Sequence, residues 1–186
     1  QRQMCIRDRD HPLYIMFSSG TTGKPKCIVH SAGGVLLKHL VEVGLHSNAR
    51  EKKKFFYFTT CGWMMWNWLV TGLASKATIV LYDGSPFYPQ PESLFDIAAR
   101  EKISIFGVSA KYIAALKKSG VRPIQTHELN NLKTILSTGS PLSDDSFRYV
   151  YDDIKSDVAL ASISGGTDIL SAFVLGHPHL PVWEGE

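Results

Sequence analysis

Short apolar runs rich in branched and aromatic residues alternate along the chain with segments whose apolar residues recur at helical spacing. This is the pattern of parallel strands joined by crossover helices. Six strands are predicted, at Leu13–Phe17, Phe55–Phe58, Thr78–Tyr82, Ile103–Val108, Thr134–Leu136 and Val158–Ile163. Each reads as continuously apolar, which fits a parallel sheet buried on both faces. A helix is predicted from Gly33 to about Gly44, with Ser31 as its N-cap and Val35, Leu36, Leu40 and Val43 near one face. Another runs from Ser109 to Lys118, stopped by Gly120 and Pro123, and a third begins after Ser143, where Phe147, Val150, Tyr151 and Ile154 fall at helical spacing. The predicted fold class is therefore α/β, a mostly parallel sheet with crossover helices. Several of the strands run into Ser, Thr or Gly, and in open α/β sheets ligands bind in the loops beyond the carboxyl ends of the strands.

Composition narrows the functional classes. A chain of 186 residues with 44% hydrophobic content has the size and apolar share of one compact domain. Lys and Arg number 20 against 17 Asp and Glu, and a net charge of +3 is too small to be the electrostatic footprint of a nucleic-acid binder. Cys5, Cys27 and Cys61 are widely separated and form no C-x-x-C spacing, which fits reduced thiols in a cytoplasmic protein and neither a disulfide framework nor a thiolate zinc site. The longest apolar stretch, Cys61 to Ala74, contains Asn67 and falls short of the ~20 residues that cross a bilayer, so it reads as a buried core helix and no membrane insertion is expected. Gln1–Arg9 is polar, lacks the apolar centre of a signal peptide and shows no periodicity. It reads as a non-native extension, and the other end, Pro181–Glu186, closes without a cap or polar tail, as if cut mid-course.

The most informative stretch is Phe17-Ser-Ser-Gly-Thr-Thr-Gly-Lys-Pro-Lys26, which follows a strand and gathers hydroxyls, glycines and cations into one loop. Gly20 and Gly23 allow a tight turn in which N–H groups converge on an anion, Ser18, Ser19, Thr21 and Thr22 add donors, and Lys24 and Lys26 add charge. A polyphosphate suits such a loop. It is not a Walker A loop, since Gly20 and Gly23 are three apart and Lys24 precedes a proline.

The segment Phe17–Lys26 resembles the signature of the adenylate-forming superfamily, which contains the acyl-CoA synthetases, luciferases and the adenylation domains of peptide synthetases. The resemblance implies that Ser18 to Lys26 hold the β- and γ-phosphates of ATP while a carboxylate attacks the α-phosphorus. Cys27 stands where many relatives have glycine. Thr138-Gly-Ser-Pro141 resembles the loop that lies against adenine, which implies adenine contacts for Gly139, Ser140, Pro141 and Ser164. Ser164-Gly-Gly-Thr-Asp168 resembles the aromatic-Gly-x-Thr-Glu element, which implies that Thr167 contacts the α-phosphate, as a catalytic residue with Lys26, and that Asp168 helps hold Mg2+. Asp in place of Glu keeps the hard oxygen ligand but shortens its reach by one methylene. Taken alone, a Gly-Gly-Thr-Asp string is more often a turn than a metal site.

Four longer strings, Thr59–Trp66, Leu81–Pro86, Leu136–Leu142 and Leu160–Asp168, resemble the acetoacetyl-CoA synthetases within that superfamily, over roughly His11 to Glu186. The resemblance implies ATP, Mg2+ and coenzyme A as co-substrate, acetoacetate as the acid, and an acyl pocket at Trp63, Met64, Met65, Thr138 and Gly165. Gly165 falls where acetyl-CoA synthetases carry the tryptophan that closes their pocket, so the missing indole is expected to leave room for a longer acid. Met64 and Met65 would form an adaptable apolar wall, and Thr138 would offer a hydroxyl to a β-ketone. Trp66 and Trp68 read as core packing, His177 and His179 as a surface loop, and Ser109 as a helix cap. The resemblance implies a partial N-terminal AMP-binding domain over residues 10–186, because nothing here resembles the family's ribose-binding aspartate, hinge or C-terminal lid. An isolated chain of this kind is expected to be inactive. Two other readings stay open, another short-acyl ligase with an altered pocket and a non-catalytic nucleotide-binding fragment.

Overall fold

The computed structural model describes residues 8–18 and 23–185. In chain order the elements are β1 (Pro12–Ser18), β2 (Lys26–Ser31), α1 (Ala32–His39) with a π-helical continuation at Leu40–His46, β3 (Lys54–Tyr57), α2 (Met64–Thr71), β4 (Thr78–Val80), α3 (Ser93–Arg100), β5 (Ile105–Ser109), α4 (Ala110–Ser119), α5 (Pro123–Thr126), β6 (Thr134–Thr138), α6 (Asp144–Tyr149) with a π-helical continuation at Val150–Ile154, β7 (Ala159–Ser162), β8 (Ser164–Gly166) and β9 (Ser171–Val174). Five strands form one parallel sheet in the order β4-β3-β5-β6-β7.

Side chains of a strand alternate between faces, and each central strand here supplies both. Phe56, Phe106, Ile135 and Leu160 face α3, α4 and α6 in one core, whereas Phe55, Ile105, Leu136 and Ala161 face α2 and the Leu40–His46 segment in the other. Burial on both faces is the reason these strands read as unbroken apolar runs. Five of the six predicted strands, Phe55–Phe58 through Val158–Ile163, correspond to β3, β4, β5, β6 and β7 within a few residues. Among the described residues no helix is long and apolar enough to cross a membrane.

The strand at Leu13–Phe17 exists but not in that sheet. It is β1, paired antiparallel with β2 in a separate hairpin, with Ser18 opposite Lys26. β1 pairs with its neighbour in sequence and makes no ladder with the parallel sheet among the described residues. Leu13, Ile15 and Phe17 are exposed in this chain.

The predicted Gly33–Gly44 helix is present as α1 and its π-helical continuation, with a different inward face. Val35 and Val43 are buried, but Leu36 is exposed, and the polar His39 and Glu42 are 0% and 1% exposed. His39 and Glu42 take inward positions because hydrogen-bond partners hold them there, Leu170 and Thr71 for His39 and Trp68, Ser171 and Ala172 for Glu42. Ser31 has the extended backbone of an N-cap but its side chain makes no capping bond. Ser109 does cap: its hydroxyl accepts from the Tyr112 N–H at 3.1 Å, and the helix stops before Gly120.

Candidate active site at the carboxyl ends of the strands

β6 and β7 point their carboxyl ends at a cavity of about 460 Å³. The loop after β6 brings Thr138 to Pro141, the turn after β7 brings Ser162 to Thr167, and the start of α2 brings Trp63, Met64 and Met65. Ser171, Ala172 and Val174 of β9 complete the wall. One cavity thus gathers the residues assigned from sequence to adenine, to the acyl chain and to the α-phosphate. Trp68 lines it too. It was expected to be core alone and is both, 2% exposed and set edge-on against Phe55 and Tyr57 at 5.7 and 6.3 Å between ring centroids.

Local geometry gives each wall its character. Gly139 sits at φ +89°, a left-handed conformation that favours glycine, and turns the chain away from β6 beneath the Trp63 ring. Thr138 is buried at 9% exposure and its Oγ donates to the Ile163 carbonyl at 2.8 Å. The expected proton for a β-ketone is therefore already committed. What Thr138 offers the cavity is an oxygen lone pair and a methyl group.

Gly165 also differs from expectation. It lines the cavity with its backbone, but a Cβ built there would lie 2.2 Å from the Ser171 carbonyl oxygen and 2.8 Å from the Ala172 Cα. The pairing of β8 with β9 slips between Ser164 and Gly165, and this presses the two backbones together. A side chain on this backbone would enter β9 rather than the cavity, so the absent indole is not by itself the source of the open space. Glycine is required here for close approach of two strands.

The phosphate-type segment lies in sequence between β1 and β2, which pair as a hairpin. Ser19, Gly20, Thr21 and Thr22 lie outside the described residues. Ser18 and Lys26 face each other at its base, Gly23 has φ +122° with open space around it, and Lys24 and Lys26 are exposed. Among the described residues neither lysine takes part in an ion pair. The hairpin is tied to the cavity side at two points. His30 Nε2 donates to the Thr167 carbonyl at 3.0 Å, and Asn67 Nδ2 on α2 donates to Met16 Sδ at 3.3 Å. None of the described loop residues forms part of the cavity wall.

Asp168 is exposed and follows Thr167 in a turn. Among the described residues no group of three or more His, Cys, Asp or Glu side chains could hold a metal ion unaided. A single carboxylate is nevertheless a fitting donor for Mg2+, which is usually held by one or two carboxylates, substrate phosphates and water. His177 and His179 are exposed, as expected of a surface loop.

Sequence reasoning missed the groups behind the walls. Glu42 accepts from Trp68 Nε1 and from the Ala172 N–H, both at 2.9 Å, and from the Ser171 hydroxyl, and it pairs with Lys38 Nζ at 3.3 Å. Burial works to raise its pKa, yet these donors outweigh it and hold the carboxyl below its ordinary value. His39 Nε2 donates to the Leu170 carbonyl at 2.6 Å while Nδ1 meets the Thr71 hydroxyl at 2.9 Å. Burial lowers the His39 pKa and so disfavours the charged ring. The available signal was His39 and Glu42 at i, i+3, flanked by apolar residues and Lys38 in a mostly apolar helical stretch.

Comparison with known proteins agrees with this geometry. Acetoacetyl-coenzyme A synthetase of Rhizobium meliloti is 64% identical over 95% of this chain and 27% of its own length. Acetoacetyl-CoA synthetase of Gallus gallus is 56% identical over 95% of this chain and 26% of its own. The solved acetoacetyl-CoA synthetase from Streptomyces lividans matches with a TM-score of 0.89 at 47% identity, over 95% of this chain and 28% of that one. The chain spans about a quarter of the length of these relatives. The family model for AMP-binding enzyme matches residues 1–181. That match takes in the hairpin, the parallel sheet and the strand-end cavity together, and the chain belongs to the AMP-binding enzyme family.

Proposed function

We propose that this chain forms the ATP-phosphate loop and the acid pocket of an acetoacetate–coenzyme A ligase. The observation that carries the reading is the strand-end cavity that holds Thr138–Pro141, Met64, Met65 and Thr167 together, beside a hairpin with two exposed lysines. The reaction has two halves. Acetoacetate attacks the α-phosphorus of ATP to give acetoacetyl-adenylate and pyrophosphate. The thiol of coenzyme A then attacks the acyl carbon, giving acetoacetyl-CoA and AMP.

In the first half the protein holds reactants and balances charge, and needs no nucleophile of its own. Ser18 to Gly23, Lys24 and Lys26 bind the departing pyrophosphate. Thr167 contacts the α-phosphate from a turn that His30 fixes through its carbonyl. Gly139, Ser140, Pro141 and Ser164 frame adenine. Trp63, Met64 and Met65 sort the acid by length and shape. Asp168 would hold Mg2+, which neutralises charge on the phosphate oxygens when bound. The enzyme is expected to work in the cytoplasm. Closing the site against water takes a second body across the nucleotide.

The test uses a chimera in which residues 8–185 replace the matching segment of the Rhizobium meliloti acetoacetyl-coenzyme A synthetase. With MgATP and coenzyme A it is expected to form AMP and acetoacetyl-CoA, with kcat/KM for acetoacetate at least about tenfold above that for acetate, a difference of roughly 1.4 kcal/mol. Equal or better use of acetate would overturn the acid assignment. Failure to release AMP with any short acid would overturn the ligase reading.

A further inference from the structure

We propose that Glu42 is a positioning residue that sets the shape of the acid pocket by tying its two walls together. The inference rests on the ligase reading for its substrate but on separate atoms for its geometry. Glu42 lies on the π-helical segment behind the cavity and contributes nothing to its lining, being 1% exposed. One of its oxygens accepts from Trp68 Nε1 on α2. The other accepts from the Ser171 hydroxyl and the Ala172 N–H on β9. Trp68, Ser171 and Ala172 all line the cavity, the first from α2 and the other two from β9.

A carboxylate is a costly way to fill a buried space. Desolvating it is unfavourable, and an apolar residue of similar volume is often as stable or more so. Its advantage is directional. Three hydrogen-bond donors from α2 and β9 must meet its oxygens, with Lys38 Nζ beside them at 3.3 Å, and an apolar side chain imposes no such condition. The Glu42 tie reaches the reacting end through the strand pair, because Gly165 and Gly166 pair with Ala172 and Ser171 and lead directly into Thr167. Anchoring β9 therefore anchors the turn that carries Thr167. His39, three residues earlier on the same helical path, joins α2 to the same turn through Thr71 and the Leu170 carbonyl. The pocket is thus braced at two levels from one buried helix face.

Kinetics and hydrogen exchange on the chimera test this. Glu42→Gln keeps the volume but places an amide where at least one donor must meet another donor, at a cost typical of an unsatisfied buried group. KM for acetoacetate is expected to rise about tenfold, KM for MgATP to stay within about twofold, and discrimination against acetate to fall. Exchange of the Ala172 amide is expected to accelerate about tenfold in the same protein. Glu42→Asp should recover part of both. Unchanged acid KM and selectivity in a folded Glu42→Gln protein would overturn the proposal, as would equal losses toward acid and MgATP, which mark a general defect. Should Glu42→Gln not fold, Ser171→Ala removes one donor and is expected to raise the acid KM about threefold; no change there would overturn it as well. Should the parent chimera not use acetoacetate, the ligase reading fails, and the exchange of Ala172 still decides the tie: protection that survives Glu42→Gln overturns it.

Discussion

In the β1–β2 hairpin the features proposed to bind phosphate lie within the ten residues from Phe17 to Lys26, and its lysines stand in the open. The walls of the cavity come from positions as far apart as Trp63 and Val174, and they are braced by Glu42 and His39 from behind. The hairpin is local and lightly packed, whereas the cavity is non-local and depends on buried polar groups. A substitution in the hairpin should remove chemistry and leave the fold alone. A substitution in the cavity should disturb both, because the atoms that shape the site also hold α2, β8 and β9 in place.

The largest departure should come from Gly165→Ala, which breaks the cavity side of the comparison. A methyl group 2.2 Å from the Ser171 carbonyl oxygen has no flexible neighbour to push aside. Overpacking of this kind costs about 1–3 kcal/mol. Urea unfolding of the chimera is expected to show that loss together with a drop in kcat/KM for the acid. Full stability with a roomier acid range would mean that β8 and β9 separate easily, and that the position sets volume after all.

A smaller effect is expected from pH. The His39 pKa is lowered by burial from its ordinary value of 6.5, so the folded protein binds less proton there than the unfolded chain. Its contribution is therefore present above that value and is lost as pH falls through the lowered one. The Glu42 pKa is lowered from 4.5, because its hydrogen bonds outweigh burial, and that contribution too is present above its ordinary value and lost on further acidification. Both signs point the same way. Stability should rise from acid to neutral pH, and His39→Gln should flatten the portion just below the ordinary histidine value. A slope unchanged by His39→Gln would remove histidine from the account.

The same contrast explains what was legible in the sequence. β3 to β7 could be read because burial on both faces leaves an unbroken apolar run such as Phe55-Phe56-Tyr57. The strand at Leu13–Phe17 could be read as a strand but not assigned to its sheet, since an apolar run does not name its neighbour and that neighbour is β2. β8 and β9 escaped because Ser164-Gly-Gly and Ser171–Val174 are too short and small to show alternation. α3 was missed although Leu94, Phe95 and Ala98 are buried along one face. Among site residues, Thr138–Pro141 and Thr167 were legible as motif words, and they meet in one cavity. The committed proton of Thr138 was not legible, because its acceptor is the carbonyl of Ile163, 25 residues on. Glu42 was hidden for the same reason, with its partners on β9 lying 129 and 130 residues away.

The most direct measurement separates the two half-reactions in Lys26→Ala of the chimera. Lys26 is exposed and in no ion pair among the described residues, so its loss should change folding stability by less than about 0.5 kcal/mol. Acetoacetate-dependent ATP–pyrophosphate exchange is expected to fall by roughly 10²-fold or more, the scale for removing one positioned charge-stabilising donor. Thioester formation from supplied acetoacetyl-adenylate and coenzyme A should change far less. Equal loss in both half-reactions, or exchange at the parent rate, would contradict the assignment of the hairpin to the phosphates of ATP.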